Sequence, residues 1–436
     1  MLLIDGEGQG LDLAYRAGEA GHTVRWYRMS DKPVKDGEGF PGIKLVDGWK
    51  EHMSWAKSGV IITTGNHKLM KELDRYREYG FPLFTPSSAS AQLEINRKTG
   101  MDLMQKHDLN ICPYKMFDSL QGAIDHVVKT DETYVFKTMG DEEDKSLSYV
   151  GCSPEDLVSW LEKRLSEGLK LKGRCMLQEK MEPVAEVGIA AWIGPAGFLP
   201  YWEVSFEHKR LMPGHFGPNT GEMGTVCQYV DADPLVDVLR SFESDLVKLG
   251  HVGDIAINGG IDSKGAYWPF EWTARLGWPD MFIRMAMHRG DPVQWMRDLC
   301  DGKDTLKVSN DTAIGVLVAQ PPFPTKVEDQ EQVEGNRIDG LKDIWDQVHP
   351  IGMMIADGPK IVDGSLEQQD TFYTTSEYVM CVTGTGKSVE AANRSVYRAI
   401  KDIKLANMIV RDDIGETVME GLPKLHGLGY CLGVDF

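Results

Sequence analysis

Residues 207–225 read EHKRLMPGHFGPNTGEMGT. Three basic residues, His208, Lys209 and Arg210, lead into a glycine-rich turn that contains Asn219, Thr220 and Gly221. Backbone N–H groups, amide and hydroxyl side chains and fixed positive charge together form the donor set that phosphoryl chemistry requires. A plain surface loop rarely carries this combination. The stretch therefore reads as an anion cradle, and the rest of the chain is read for what surrounds it.

With 436 residues, 42% hydrophobic and 26% charged, the chain is long enough for two to four packed domains and shows no low-complexity block. A formal charge of −19 opposes phosphate backbones and anionic lipid, so neither a nucleic acid nor a membrane partner is expected. The seven cysteines are scattered without a CxxC pair, which reads as reduced thiols in a cytoplasmic protein. Neither a signal peptide nor a membrane span is expected, since no 18-residue apolar run occurs in these residues.

The first residues, MLLIDGEGQG, read as a buried strand followed by a glycine turn and a helix over 11–20. This is the opening unit of a doubly wound α/β domain, expected to extend over 1–109. Gly8 and Gly10 suit either a tight structural turn or a phosphate cradle at the helix start. Strands interleaved with helices follow over 110–183 and 184–320, and a long acidic helix is expected over 232–249. The proline-rich run at 321–324 marks the start of a small last domain, 321–436. There, GTGKS at 384–388 lacks the full P-loop pattern and reads as a helix N-cap turn.

The quoted stretch closely resembles the DHKR…GPNTGGMG signature of phosphoribosylamine–glycine ligases. Further strings resemble that family in the same order: PLFTPSSASAQLEINRKTG, YVFKT with Lys137, LQEKMEPVAEVGI, PFEWTARLGWPD and VRDDIG. The resemblance implies an ATP-grasp fold, α/β and α+β, with an N-terminal doubly wound domain, a small lid, a core and a small C-terminal domain. It implies an ATP-dependent ligase that joins an amino acid, glycine in the family, to a phosphorylated amine through an acyl phosphate. ATP and Mg²⁺ (or Mn²⁺) would be required. By position, Lys137, Lys145, Glu179, Lys180, Met181 and Glu186 would hold ATP, and Glu271, Thr273 and Asn258 the metal. Arg275, Lys209 and Arg210 would serve catalysis, and Asn219, Thr220, Gly221, Gly8 and Gly10 the substrates.

The chain also departs from that pattern. GEGQG replaces a loop that carries Arg-Glu-His in the family, and GNHKL at 65–69 replaces GPExPL. Both changes fall on the amine side, which implies a different acceptor or different contacts to it. Four acidic residues at 141–144 precede Lys145, and Thr273 stands where the family has asparagine. These two changes admit a further reading, a nucleotide-binding relative without turnover.

Overall fold

The computed structural model describes residues 1–30, 34–66, 69–139, 147–169, 171, 173–325 and 332–436. Its first strand, Leu2–Asp5, pairs in parallel with Val24–Arg28 on one edge and Ile61–Thr63 on the other, and both its faces are buried because Leu3 packs in one core cluster and Leu2 and Ile4 in another. Ile43–Leu45 and Leu83–Phe84 complete a five-stranded parallel sheet. Parallel neighbours need crossovers, and the helix Leu11–Glu19 supplies the first of them.

Residues 114–179 form a four-stranded antiparallel sheet in the order Tyr114–Phe117, Arg174–Glu179, Tyr134–Met139, Tyr149–Val150. Two helices, Leu120–Thr130 and Pro154–Ser166, cover one face, and Ser119 and Ser153 cap their starts. Their apolar stripes bury Phe136, Leu177 and their neighbours. The other face is left for the site.

The central sheet has eight antiparallel strands, ordered Tyr267–Thr273, Gly253–Ile261, Ala185–Gly194, Gly197–Glu207, Gly224–Val230, Thr312–Ala319, Tyr378–Gly386, Val348–Pro350. Residues beyond 321 thus enter this sheet as well as a separate four-stranded one that contains the hairpin Met353–Val362 and Ser365–Thr374. The single acidic helix expected over 232–249 is two, Pro234–Arg240 and Glu243–Lys248. The break between them buries Phe242, which packs edge-on against Trp272, and that burial outweighs helix continuity.

Beneath the sheet, Arg284 lies buried with its Nε 2.6 Å from Glu203 Oε2 and its Nη1 2.7 Å from Asp254 Oδ1. The same guanidinium stacks over Trp192. The segment GTGKS ends the strand Tyr378–Gly386, and Ser388 Oγ accepts from Ala391 N–H at the start of the helix Val389–Ile400, as a cap turn should. All seven cysteines are free, and among the described residues no helix is long and apolar enough to cross a membrane.

Candidate active site

A cleft of about 640 Å³ opens between the four-stranded sheet and the central sheet. Strand alternation places Tyr134 and Phe136 in the core and turns Val135 and Lys137 toward the cleft. Lys137 Nζ donates to Gln178 Oε1 at 2.8 Å. Burial, and then the nearby Arg97, lower its pKa to about 8. Glu179, Lys180, Met181 and Glu186 line the segment that crosses from one sheet to the other.

On the central sheet, Lys209 Nζ stands 3.1 Å from Glu207 Oε2 and 3.3 Å from Glu271 Oε1. Glu207, and secondarily Glu271, hold its pKa well above the ordinary lysine value. Arg97 Nη1 lies 3.7 Å from Glu271 Oε2. A register shift between Asn258 and Gly259 bulges the strand Tyr267–Thr273, so that Phe270 and Glu271 both line the cleft. Two carboxylates gathered around one cation are hard oxygen donors that suit Mg²⁺ or Mn²⁺. Thr273 lies outside the cleft lining. Asn258 reaches the pair indirectly, by donating from Nδ2 to Glu207 Oε1 at 2.9 Å.

The hairpin Arg210–Met212 and Phe216–Asn219 projects over the cleft and brings Arg210 and Asn219 to its lining. Its position is set by the C-terminal string VRDDIG. Buried Arg411 pairs with Asp413 through Nε and Nη2 and donates from Nη1 to Arg210 O, while Asp413 Oδ2 accepts from Gly214 N–H. His208, expected as a third cation, is neutral: burial, then Arg411, lower its pKa to about 4, and its ring bonds Phe206 O and Thr417 Oγ1. Thr220 spends its hydroxyl on Lys209 O at 2.9 Å, and neither it nor Gly221 lines the cleft. Gly224 is required where the strand meets its neighbour, because a Cβ there would overlap the Gly315 carbonyl.

The amine side differs from the sequence expectation. Gly8 and Gly10 lie away from the cleft, and their amides already have an anion. Buried Asp5 accepts from Gly8 N–H (2.7 Å) and Gln9 N–H (3.3 Å) at Oδ1 and from Gly10 N–H (3.0 Å) at Oδ2. Thr64 Oγ1 and Trp26 Nε1 donate to the same carboxylate. A Cβ at Gly8, which has a left-handed backbone, would overlap the Arg28 guanidinium. Arg28 in turn pairs with Asp36 at 2.7 Å. The turn therefore serves structure. Arg275, expected to share the face of Glu271, lies beyond the strand end at Thr273 and outside the cleft, where its Nε meets Glu94 Oε1 at 3.3 Å. Lys145 and residues 67–68 and 141–144 fall outside the described residues.

Comparison with known proteins agrees with this arrangement. Residues 313–417 match the phosphoribosylglycinamide synthetase C domain. The phosphoribosylamine–glycine ligase of Clostridium acetobutylicum is 24% identical over 365 residues, which is 79% of this chain and 81% of that protein. The crystal structure of the Thermotoga maritima phosphoribosylamine–glycine ligase superposes with a TM-score of 0.70 at 19% identity, covering 95% of this chain and 99% of that one. The biotin carboxylase domain of a Hydrogenobacter thermophilus 2-oxoglutarate carboxylase, solved with MgADP, gives a TM-score of 0.58 at 11% identity over 94% and 91% of the two chains. The fold is that of the ATP-grasp ligases.

Within this ATP-grasp frame, Arg97, Gln178 and Glu207 are among the cleft residues that escaped the sequence reading. Arg97 begins the helix Arg97–Lys106 and enters the cleft only because that helix abuts the strand of Glu271. Gln178 was visible as the polar residue that follows the apolar run Cys175–Leu177. Glu207 had the clearest signal, as the acidic residue that opens the quoted stretch.

Proposed function

We propose that the chain is an ATP-dependent carboxylate–amine ligase. The observation that carries this reading is the convergence of Lys137, Lys209, Arg97 and Arg210 on one cleft that also holds Glu207 and Glu271. An amino-acid carboxylate oxygen attacks the γ-phosphorus of ATP, ADP leaves with the bonding electron pair, and an acyl phosphate results. An amine nitrogen then attacks the acyl carbon, and phosphate departs. Lys137, Lys209, Arg97 and Arg210 neutralise charge on the transferred group and hold it in line, which is most of what this chemistry asks of a protein. Glu207 and Glu271 would hold Mg²⁺ or Mn²⁺, whose charge offsets the phosphates. Glu179, Lys180, Met181 and Glu186 are assigned to the nucleoside. The names of the relatives point to glycine as the amino acid and phosphoribosylamine as the amine, with glycinamide ribonucleotide as product.

A second reading, an amine other than phosphoribosylamine, is favoured by Asp5. Its carboxylate fills the place at the N-terminal turn that a phosphate would take, and Arg28 beside it is committed to Asp36. Glycine-dependent ADP release, with hydroxylamine trapping the acyl phosphate as a hydroxamate, tests the ligase reading. No ADP release with any amino acid would refute it. Comparison of phosphoribosylamine with ribosylamine, both generated in place, decides the acceptor. A preference of tenfold or more for the phosphorylated amine, about 1.4 kcal/mol, would eliminate the second reading.

A further inference from the structure

The last helix, Glu416–Gly427, forms part of the cleft wall, and its Thr417, Val418, Gly421 and Leu425 reach the lining. Val418, Gly421 and Leu425 stand three and four residues apart, so one face of the helix carries all three. Val418 and Leu425 are buried in the main core. Gly421 has no side chain, and a Cβ there would meet no packed neighbour within 4 Å. The wall therefore has a notch between Val418 and Leu425 that opens on the cleft.

Glycine is a costly choice at this position, because in a helix interior it loses more backbone entropy than alanine. The backbone at Gly421 is ordinary right-handed helix, which any residue adopts. Gly415, at the start of the same helix, is different: its φ is 95° and a Cβ there would crowd Ile314. Neither backbone conformation nor packing requires a glycine at 421. What remains is the close approach of something that occupies the cleft.

The two ends of the helix show what passes Gly421. At one end, Thr417 Oγ1 lies 2.8 Å from His208 Nε2, next to Lys209 and Arg210 in the phosphoryl-transfer part of the cleft. Beyond the other end, Tyr430 Oη donates to Gly265 O at 2.9 Å, in the turn that joins Gly253–Ile261 to Tyr267–Thr273. Ile261 O accepts from Val184 N–H at 2.8 Å, and Ile261 pairs with Ala185, so this turn lies beside the segment assigned to the nucleoside. Gly421 is about 6 Å along the helix from Thr417 and the same from Leu425. In a nucleoside triphosphate the part between base and phosphates is the sugar.

We propose that Gly421 is a specificity-determining residue of the nucleotide site: the helix Glu416–Gly427 lies along the nucleotide, and the missing side chain admits the sugar edge. This rests on the assignment of the cleft to ATP in the ligase reading. A side chain at 421 narrows the site where the sugar passes and leaves the phosphoryl-transfer residues untouched.

Calorimetric ATP affinity in the full chain tests this without reference to turnover. In Gly421→Ala the added methyl group fills the notch, and Kd for ATP is expected to rise about tenfold. The melting temperature without nucleotide should stay at or above that of the wild type, because alanine favours the helix. A glycine kept only to accommodate Pro423, two residues on, would instead be destabilising to replace. Gly427→Ala, at the end of the same helix and equally open but outside the cleft lining, should leave Kd within about twofold. With 2′-deoxyATP or 3′-deoxyATP the loss in Gly421→Ala should shrink to about threefold or less for at least one of the two, since a missing hydroxyl returns the room. An unchanged Kd, a lowered melting temperature in Gly421→Ala, an equal loss in Gly427→Ala, or the same loss with all three nucleotides would overturn the proposal. ATP binding by the wild-type chain without ADP release on any amino acid would count against the ligase reading alone, whereas no ATP binding at all would overturn both.

Discussion

Lys209 Nζ reaches across two intervening strands to lie 3.3 Å from Glu271 Oε1. Glu207 approaches the same ammonium from its own strand, at 3.1 Å. The lysine ammonium thus lies between two carboxylates and acts as their counter-cation.

Replacing Lys209 with methionine should leave that carboxylate pair uncompensated. Mn²⁺ affinity in the absence of nucleotide is expected to rise about tenfold, or about 1.4 kcal/mol, while turnover falls about 10²-fold or more. Mn²⁺ titration followed by electron paramagnetic resonance checks the first figure and ADP release the second. Unchanged Mn²⁺ affinity would remove Lys209 from the role of counter-cation.

Lys137 titrates at about 8 because burial, and then Arg97, disfavour its charge. Below that pH it is already protonated when ATP arrives. Above it, ATP must bring a proton in, since the phosphates raise the lysine pKa again. Proton uptake on nucleotide binding should therefore appear between about pH 8 and 9, with affinity falling as pH rises. Calorimetry in buffers of different ionisation enthalpy measures the uptake, and Lys137→Met should abolish it.

Arg284 is 1% exposed and lies within ion-pair distance of Glu203 and Asp254 beneath the central sheet. Burial raises Glu203 to a pKa of about 8 even with the arginine present. Arg284→Met should cost about 3–5 kcal/mol, because it leaves buried carboxylates without a partner. Denaturant unfolding reads this directly, and a loss below about 1 kcal/mol would show that the cluster is compensated by other groups.

Glu94 joins three elements. Its Oε2 accepts from Asn66 Nδ2 at 2.7 Å and Ala274 N–H at 2.8 Å, and its Oε1 from Arg275 Nε at 3.3 Å. Glu94→Ala should cost about 1–3 kcal/mol in stability, since buried donors lose their acceptor. If Arg275 serves the acceptor step, the same variant lowers amide formation more than hydroxamate formation. Equal effects on both would confine the residue to structure.

Local reading succeeded wherever a residue and its sequence neighbours settle the outcome. The Ser388 cap and the approach of Lys137, Arg210, Asn219 and Glu271 to one cleft follow from short patterns and an ordered set of motifs. It failed where a distant group competes for the same atoms. Nothing in GEGQG shows that Asp5 will fold back under its own glycines, because that requires Thr64 and Trp26 to hold the carboxylate from neighbouring strands. Nothing in the spacing of Glu271 and Arg275 shows that the strand ends between them and that Glu94 claims the arginine.

The sequence by itself pointed to the fold class and to the kind of chemistry its motifs can support, because periodicity, capping and turn formation act over a few residues. Tertiary structure alone decided which polar groups remain available for that chemistry. His208, Thr220 and the amides of Gly8 and Gly10 carry the right atoms and spend them inside the protein, whereas Lys137, Lys209 and Arg210 present their charge to the cleft. The physical reason is that a buried donor or acceptor must be satisfied by whatever the fold brings within about 3 Å, and that partner can lie anywhere in the chain.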